Sequence, residues 1–175
     1  MTSLDPNNGK IGLRTATGAD LVRILELNDA EVQNTSPLDR PQLEQLLDMA
    51  SYSRVATVED TAGEKVAAFI IALREGRPYT SDNYRWFAAR YPRFLYIDRI
   101  VVDADCAGRG IGRALYRDLF RCARDQGVHI VACEYNLEPP NPASAAFHNR
   151  LGFREQGRQR VAGGAKLVSL QVTEL

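Results

Sequence analysis

Little in this 175-residue chain can hold a metal or a covalent staple: it has three cysteines and two histidines. Cys106, Cys122 and Cys133 form an odd set without paired spacing, so neither a disulfide framework nor a zinc site is expected. Surplus charge is missing as well. Lys plus Arg and Asp plus Glu number 22 each, which leaves no overall basic field to draw in nucleic acid or an anionic membrane. No apolar run approaches the roughly 20 residues that cross a bilayer. The opening MTSLDPNNGK lacks the charged start and apolar stretch of a secretory signal. A cytoplasmic, metal-free protein without nucleic-acid or membrane partners is the expectation. Repeats and low-complexity segments are lacking too. The length suits one sizeable core and is too short for two ordinary domains, so residues 1–175 read as one domain, with 1–9 a flexible N-terminal segment.

What the chain does have is an alternation of strand and helix patterns. Ile11–Ala16 reads as a short strand and Asp20 to about Gln33 as a helix with Leu21, Ile24, Leu25 and Leu27 buried. A turn at Ser36-Pro37 leads to a second helix, Pro41 to about Met49, with proline near its first turn. Arg54–Glu59 and Lys65–Arg74 form a hairpin about Thr61-Ala62-Gly63. Glu75–Arg93 is polar and aromatic, the least regular region, with a helix in part of it left open. Then come strand Phe94–Val102, helix Ile111–Gln126, strand His129–Tyr135, helix 142–151 and closing strands near 153–161 and 166–174, turned by Gly163-Gly164. Antiparallel pairs at both ends of this order give a mixed α/β sheet.

The stretch Ala107-Gly108-Arg109-Gly110-Ile111-Gly112-Arg113 carries the most chemistry, because it joins a strand to the first turn of a long amphipathic helix. Such a turn offers free amides and the positive end of a macrodipole worth roughly half a charge, a place for an anion. Spacing sorts the possible phosphate loops. A P-loop starting at Gly108 needs glycine where Arg113 stands, and is excluded. A dinucleotide fingerprint meets the same arginine and lacks an early strand-helix-strand unit. The bland reading is a tight strand-to-helix turn that happens to need glycine.

Residues 107–112 resemble the pyrophosphate loop of the GCN5-related N-acetyltransferases, Arg/Gln-x-x-Gly-x-Gly/Ala, at Gly110 and Gly112, with Ala107 in the first position. Asn141–Phe153 is similar to that family's other hallmark, Asn-x-x-Ala/Ser-x-x-Leu/Phe-Tyr-x-x-x-Gly-Phe, with its spacing kept throughout. Both motifs stand in the family's order, one helix and one strand apart, and the run CEYNLEPPNPASAAFHNRLGF resembles a bacterial branch of acetyltransferases. The resemblance implies a mixed sheet of about six to seven strands flanked by about four helices, with a splay between the fourth and fifth strands. Acetyl-coenzyme A is the implied donor. Its diphosphate would lie on Gly108, Arg109, Gly110, Ile111, Gly112 and Arg113, and its pantetheine arm along Ile100, Val101 and Val102, near Asn141, Ser144 and Phe147. Asn141 followed by Pro142 is also a good helix N-cap in its own right. The implied acceptor is a primary amine of a small molecule or peptide, received between residues 28–38 and 79–91. The closing strands offer an edge at which a homodimer could pair. A non-catalytic acyl-coenzyme A sensor with the same fold is the rival reading, supported by the departures at Ala107 and His148.

His148 stands where the family has a tyrosine that protonates the leaving thiolate. A thiol has a reference pKa near 8.5 and histidine one near 6.5, so an imidazolium could donate a proton or a neutral ring could hydrogen-bond the sulfur. A helix histidine satisfied by a local carbonyl is the structural alternative. An ammonium acceptor near pKa 10.4 also needs a base. Glu134 is the first candidate, since CEYN resembles the Leu-Glu-Val segment of ribosomal-protein acetyltransferases, whose glutamate has that role. Asp98 is the second and Tyr96 a third; two apart on one strand, they are expected to share a face with Ile100 and Val102. The structural alternative for either carboxylate is a solvated or ion-paired charge. Neither Cys106 nor Cys133 has a neighbouring base that would mark a nucleophile.

Overall fold

Branched and aromatic residues at strand spacing build one seven-stranded sheet, in the order β1-β2-β3-β4-β5-β7-β6. The strands are β1 (Gly12–Thr15), β2 (Tyr52–Asp60), β3 (Gly63–Arg74), β4 (Leu95–Val102), β5 (Ile130–Glu138), β6 (Arg154–Val161) and β7 (Lys166–Glu174). The computed structural model describes residues 10–175, so the expected flexible segment 1–9 lies outside the described residues. Helices α1 (Leu21–Ala30), α2 (Arg40–Met49) and α3 (Asp82–Ala88) cover one face. Helix α4 (Ile111–Asp125) lies on the other, with α5 (Pro142–Arg150) beside it.

The helices form where caps and apolar stripes coincide. Asp39 accepts from the amide of Gln42 and Gln42 answers with a bond from the amide of Asp39, a reciprocal cap that starts α2 with Pro41 in its first turn. In α4, Ile111, Leu115, Tyr116, Leu119 and Ala123 are all buried against the sheet, and each large apolar side chain so buried contributes about 1.5–3 kcal/mol. One boundary needs correction. Helix α1 ends at Ala30 rather than near Gln33, because the buried Asn28 donates to the carbonyl of Ser36 at 3.0 Å and draws the chain back over the helix. The helix left open within 75–93 is α3, started by Ser81, whose hydroxyl accepts from the amide of Tyr84, and anchored by the buried Tyr84 and Phe87.

Every neighbouring strand pair is antiparallel except β4 and β5, which run parallel and pair only at Leu95 with Val131 and Tyr96 with Ala132. Beyond Tyr96 they part, with β4 following β3 and β5 following β7. This is the expected splay. A bulge sits at its root: Ile97 faces Ala72 and Arg99 faces Ile71, which leaves Asp98 as the extra residue. The bulge overturns the expected face. Leu95 and Ile97 pack on the α4 side and Tyr96 on the α3 side, but past Asp98 the parity flips, so Ile100 and Val102 pack on the α4 side and Val101 on the other. Tyr96 therefore does not share a face with Ile100 and Val102.

Candidate functional site

The glycine turn delivers an anion cradle. Gly110 is the N-cap of α4 at φ 79°, Gly108 sits at φ 76°, and an added Cβ at either would meet nothing within 4 Å. Both thus hold left-handed backbone beside open space, the combination that requires glycine. The amides from Gly108 through Arg113 find no acceptor among the described residues; the first bond of the helix runs from the amide of Ala114 to the carbonyl of Gly110, at 3.0 Å. Successive unpartnered amides at a helix N-terminus suit a diphosphate. Arg109 adds a buried Nε without a partner. Gly112 answers a different need, since a Cβ there would stand 3.3 Å from the Phe147 ring, which closes α5 onto the first turn of α4.

The splay opens into a cavity of about 540 Å³ lined by β4 and β5, the α1–α2 loop, the start of α3, and α5. That is the size of a small-molecule site. Asn141, Ser144 and His148 reach it from α5, Cys133, Glu134, Tyr135 and Asn136 from β5, and Tyr96, Asp98 and Ile100 from β4. The backbone of Ile100–Val102 runs along β4 beyond its last pairing with β5.

Glu134 is the group in this cavity most removed from its ordinary state. Its Oε1 accepts from the Tyr96 hydroxyl at 3.0 Å, while Oε2 is buried without a hydrogen-bond partner. Burial, and then the nearby Asp98, push its pKa up to about 8. A carboxyl held near neutrality in a closed pocket can take up a proton and pass it on. Asp98, the second candidate, is committed elsewhere. Its Oδ1 accepts from Tyr79 at 2.5 Å and its Oδ2 from Arg99 at 2.7 Å, both members of that ion pair being about 95% buried. Arg99 reaches on to Asn28 at 2.8 Å and to Ser36.

His148 is buried in an aromatic cage of Tyr116, Tyr135, Phe147 and Phe153. Its Nδ1 lies 2.8 Å from the carbonyl of Ser144, an acceptor only, so Nδ1 carries the proton and Nε2 accepts from the Tyr116 hydroxyl at 2.6 Å. Burial lowers its pKa below the usual 6.5. The ring is therefore neutral at pH 7, and the imidazolium weighed from the sequence gives way to a neutral pair with Tyr116. Asn141 caps α5 by accepting from the amide of Ser144 at 3.1 Å. Burial raises the Cys133 thiol well above its ordinary range, which keeps it from thiolate chemistry. Among the described residues no group of three or more His, Cys, Asp and Glu side chains could hold a metal ion, and no helix is long and apolar enough to cross a membrane.

Sequence reasoning missed Tyr116 and Tyr79. Tyr116 reads as one more apolar position on α4, and nothing local shows that its hydroxyl meets a residue on α5. Tyr79 lies in the aromatic run without a pattern that aims it at Asp98. Also missed was the fastening of the α1–α2 loop. Arg99 of β4 bonds Ser36, Asn136 of β5 donates to the carbonyl of Gln33 at 2.9 Å, and Lys166 of β7 donates to that of Thr35 at 2.8 Å.

A sheet splayed beside a glycine-capped helix N-terminus defines an acyl-transferase architecture, and comparison with known proteins agrees. Residues 19–153 match the model of the acetyltransferase (GNAT) family. The chain belongs to that family. It is 28% identical over 159 residues to the L-methionine sulfoximine/L-methionine sulfone acetyltransferase of Pseudomonas aeruginosa, covering 86% of this chain and 84% of that one. It is 30% identical over 122 residues to glucosamine 6-phosphate N-acetyltransferase 1 of Oryza sativa, covering 69% and 64% respectively. The fold matches the ribosomal-protein-S18-alanine N-acetyltransferase of Escherichia coli with a TM-score of 0.68 at 18% identity, over 94% of each chain.

Proposed function

We propose that the protein transfers an acetyl group directly from acetyl-coenzyme A to the primary amine of a small acceptor. The observation that carries this reading is Glu134, a buried carboxyl with one free oxygen and a pKa of about 8, at the foot of the splay. A binding module has no use for that strained group, whereas an amine that arrives as an ammonium must lose a proton before it can attack. The diphosphate would take the amides of Gly108–Arg113. The pantetheine arm would follow the unpaired edge of Ile100–Val102, as an added strand does, with Asn141, Ser144 and Phe147 along its other side.

In the reaction, Glu134 accepts the proton of the ammonium, directly or through a water. The amine attacks the thioester carbonyl, the C–N bond forms, and the C–S bond breaks to release the thiolate of coenzyme A. The thiolate takes up the second proton, which the nitrogen sheds as the amide forms, while the Tyr116 hydroxyl, turned to Nε2 of His148 and kept from ionising by burial, holds that wall of the cavity neutral. Asp98 acts by position. Bound on both oxygens, it fixes the bulge and sets a negative charge near Glu134 that helps hold the latter's pKa high. The P. aeruginosa and O. sativa relatives are named for small amines, which supports a small acceptor over an extended peptide. The test is amine-dependent release of thiol from acetyl-coenzyme A. Release by the wild type that falls roughly 10²-fold or more in Glu134→Gln supports the reading; equal rates in both proteins overturn the assignment of the base.

A further inference from the structure

The charges in the cavity wall are not all paired. Six acidic or basic side chains line it, namely Asp82, Asp98, Arg99, Glu134, Lys166 and the neutral His148. Asp98 and Arg99 neutralise each other at 2.7 Å. Glu134, with a pKa of about 8, is largely protonated at neutral pH. Lys166 is the remaining cation. It has no carboxylate within salt-bridge distance among the described residues, and its Nζ spends one donor on the carbonyl of Thr35 at 2.8 Å. An ammonium has three donors, so two are left at the cavity wall. Half-burial lowers its pKa, the mark of a cation short of water and of a counter-charge.

Fastening the loop does not need that charge. The neighbouring carbonyl, Gln33, is held just as well by the neutral amide of Asn136, at 2.9 Å. A lysine at the second fastening point brings a positive charge that the loop has no use for.

Resting on the acetyltransferase reading above, we infer that Lys166 receives an anionic group of the acceptor, a carboxylate, phosphonate or phosphate on a small primary amine. Asp82, in the first turn of α3, is the wall's other charge without an ion-pair partner among the described residues. The wall thus offers one charge of each sign, the complement of an acceptor that arrives as ammonium at one end and anion at the other. Three strands hold the loop of residues 33–36 over this chamber through Arg99, Asn136 and Lys166, and about 540 Å³ must also receive the acetyl end of the donor. A small zwitterion fits those limits.

The experiment measures thiol release from acetyl-coenzyme A with amines in matched pairs that differ only in the anion. The pairs are an α-amino acid and its carboxamide, an aminoalkylphosphonate and its diester, and an amino-sugar phosphate and its parent sugar. The three arms separate carboxylate, phosphonate and phosphate. The expected result is a kcat/KM at least tenfold higher for the anionic member of one pair, entering through KM. Lys166→Gln keeps a donor for the Thr35 carbonyl while removing the charge, and is expected to reduce that preference tenfold or more; Lys166→Arg is expected to keep it within about threefold. A wild type that acetylates both members of every pair alike overturns the inference and leaves the acetyltransferase reading standing, as does an undiminished preference in Lys166→Gln. Acetyl-coenzyme A bound without thiol release from any anionic amine overturns it as well. Failure to bind acetyl-coenzyme A removes the acetyltransferase reading itself, and the inference with it.

Discussion

An unpartnered oxygen on a buried carboxyl costs stability, and Glu134 keeps one inside the splay. Because its pKa rises from 4.5 to about 8 on folding, the native state binds this proton more tightly than the unfolded chain. The contribution to stability is full below about pH 4.5 and is lost as pH rises through about 8. Glu134→Gln removes the titration, so its melting temperature relative to wild type should climb between pH 5 and pH 8, with about 2–4 °C for each kcal/mol at this chain length. The rate follows the opposite logic. A base works ionised, so wild-type kcat/KM should rise with pH up to about 8, and the variant should lose that limb. A melting difference that stays flat with pH contradicts the buried, protonated carboxyl. Glu134 was legible in the sequence and ranked ahead of Asp98 through the resemblance, but the physical reason was not, because the free oxygen of the one and the burial of the other's ion pair exist only after β4 and β5 come together. His148 was legible as a departure from the family's tyrosine, whereas its partner Tyr116 is 32 residues away on another helix. Tyr116→Phe leaves the buried Nε2 without a donor, which should cost about 1–3 kcal/mol in denaturant unfolding. Unchanged stability would show that the Tyr116–His148 bond contributes nothing to the fold.

Two elements shape the site, a bulge and a helix N-terminus, and they differ in how visible they are beforehand. Strand β4 was plain from its β-branched and aromatic residues, yet the extra residue at Asp98 is set by the register against β3 and has no signature in β4 itself. That is why the expected face failed past Ile97. The buried pair that fixes the bulge gives a prediction: Asp98→Asn leaves Arg99 buried without its counter-charge and should destabilise the protein by about 3–5 kcal/mol, measured by denaturant unfolding. A loss below about 1 kcal/mol would mean that Asp98 is free to act as a base after all. The start of α4, by contrast, was legible residue by residue, because positive φ and close approach demand glycine and the sequence supplies it. Gly110→Ala puts a side chain into left-handed backbone at φ 79°, a strain of about 1–2 kcal/mol. Acetyl-coenzyme A should bind roughly tenfold more weakly, since that strain is relieved by turning the amides away. Unchanged affinity in a folded Gly110→Ala protein would move the diphosphate elsewhere. Helix α3 was legible only as a possibility within 75–93 and its bounds were not, because its seven residues are too short for a period to show in an aromatic run.

At the scale of the whole molecule, one sheet separates two apolar layers, and the gap between β4 and β5 is the place where it stops pairing with itself. The order of strands and helices was legible because each is punctuated by glycine, proline or a cap. What surrounds the acceptor was not, because the loop of residues 33–36 is held by side chains of three strands that are 63 to 131 residues away in the chain. On the proposed reading, donor and acceptor ends meet in one chamber beside Glu134 of β5, so binding and chemistry should be separable by substitution. Calorimetric titration with acetyl-coenzyme A, followed in the same sample by thiol release on adding small anionic amines, tests this most directly. The account predicts saturable binding at one site, then release that depends on the amine and is lost in Glu134→Gln. No heat of binding would contradict the assignment of the α4 cradle, and binding with no release from any amine would contradict the transferase and leave an acyl-coenzyme A sensor in its place.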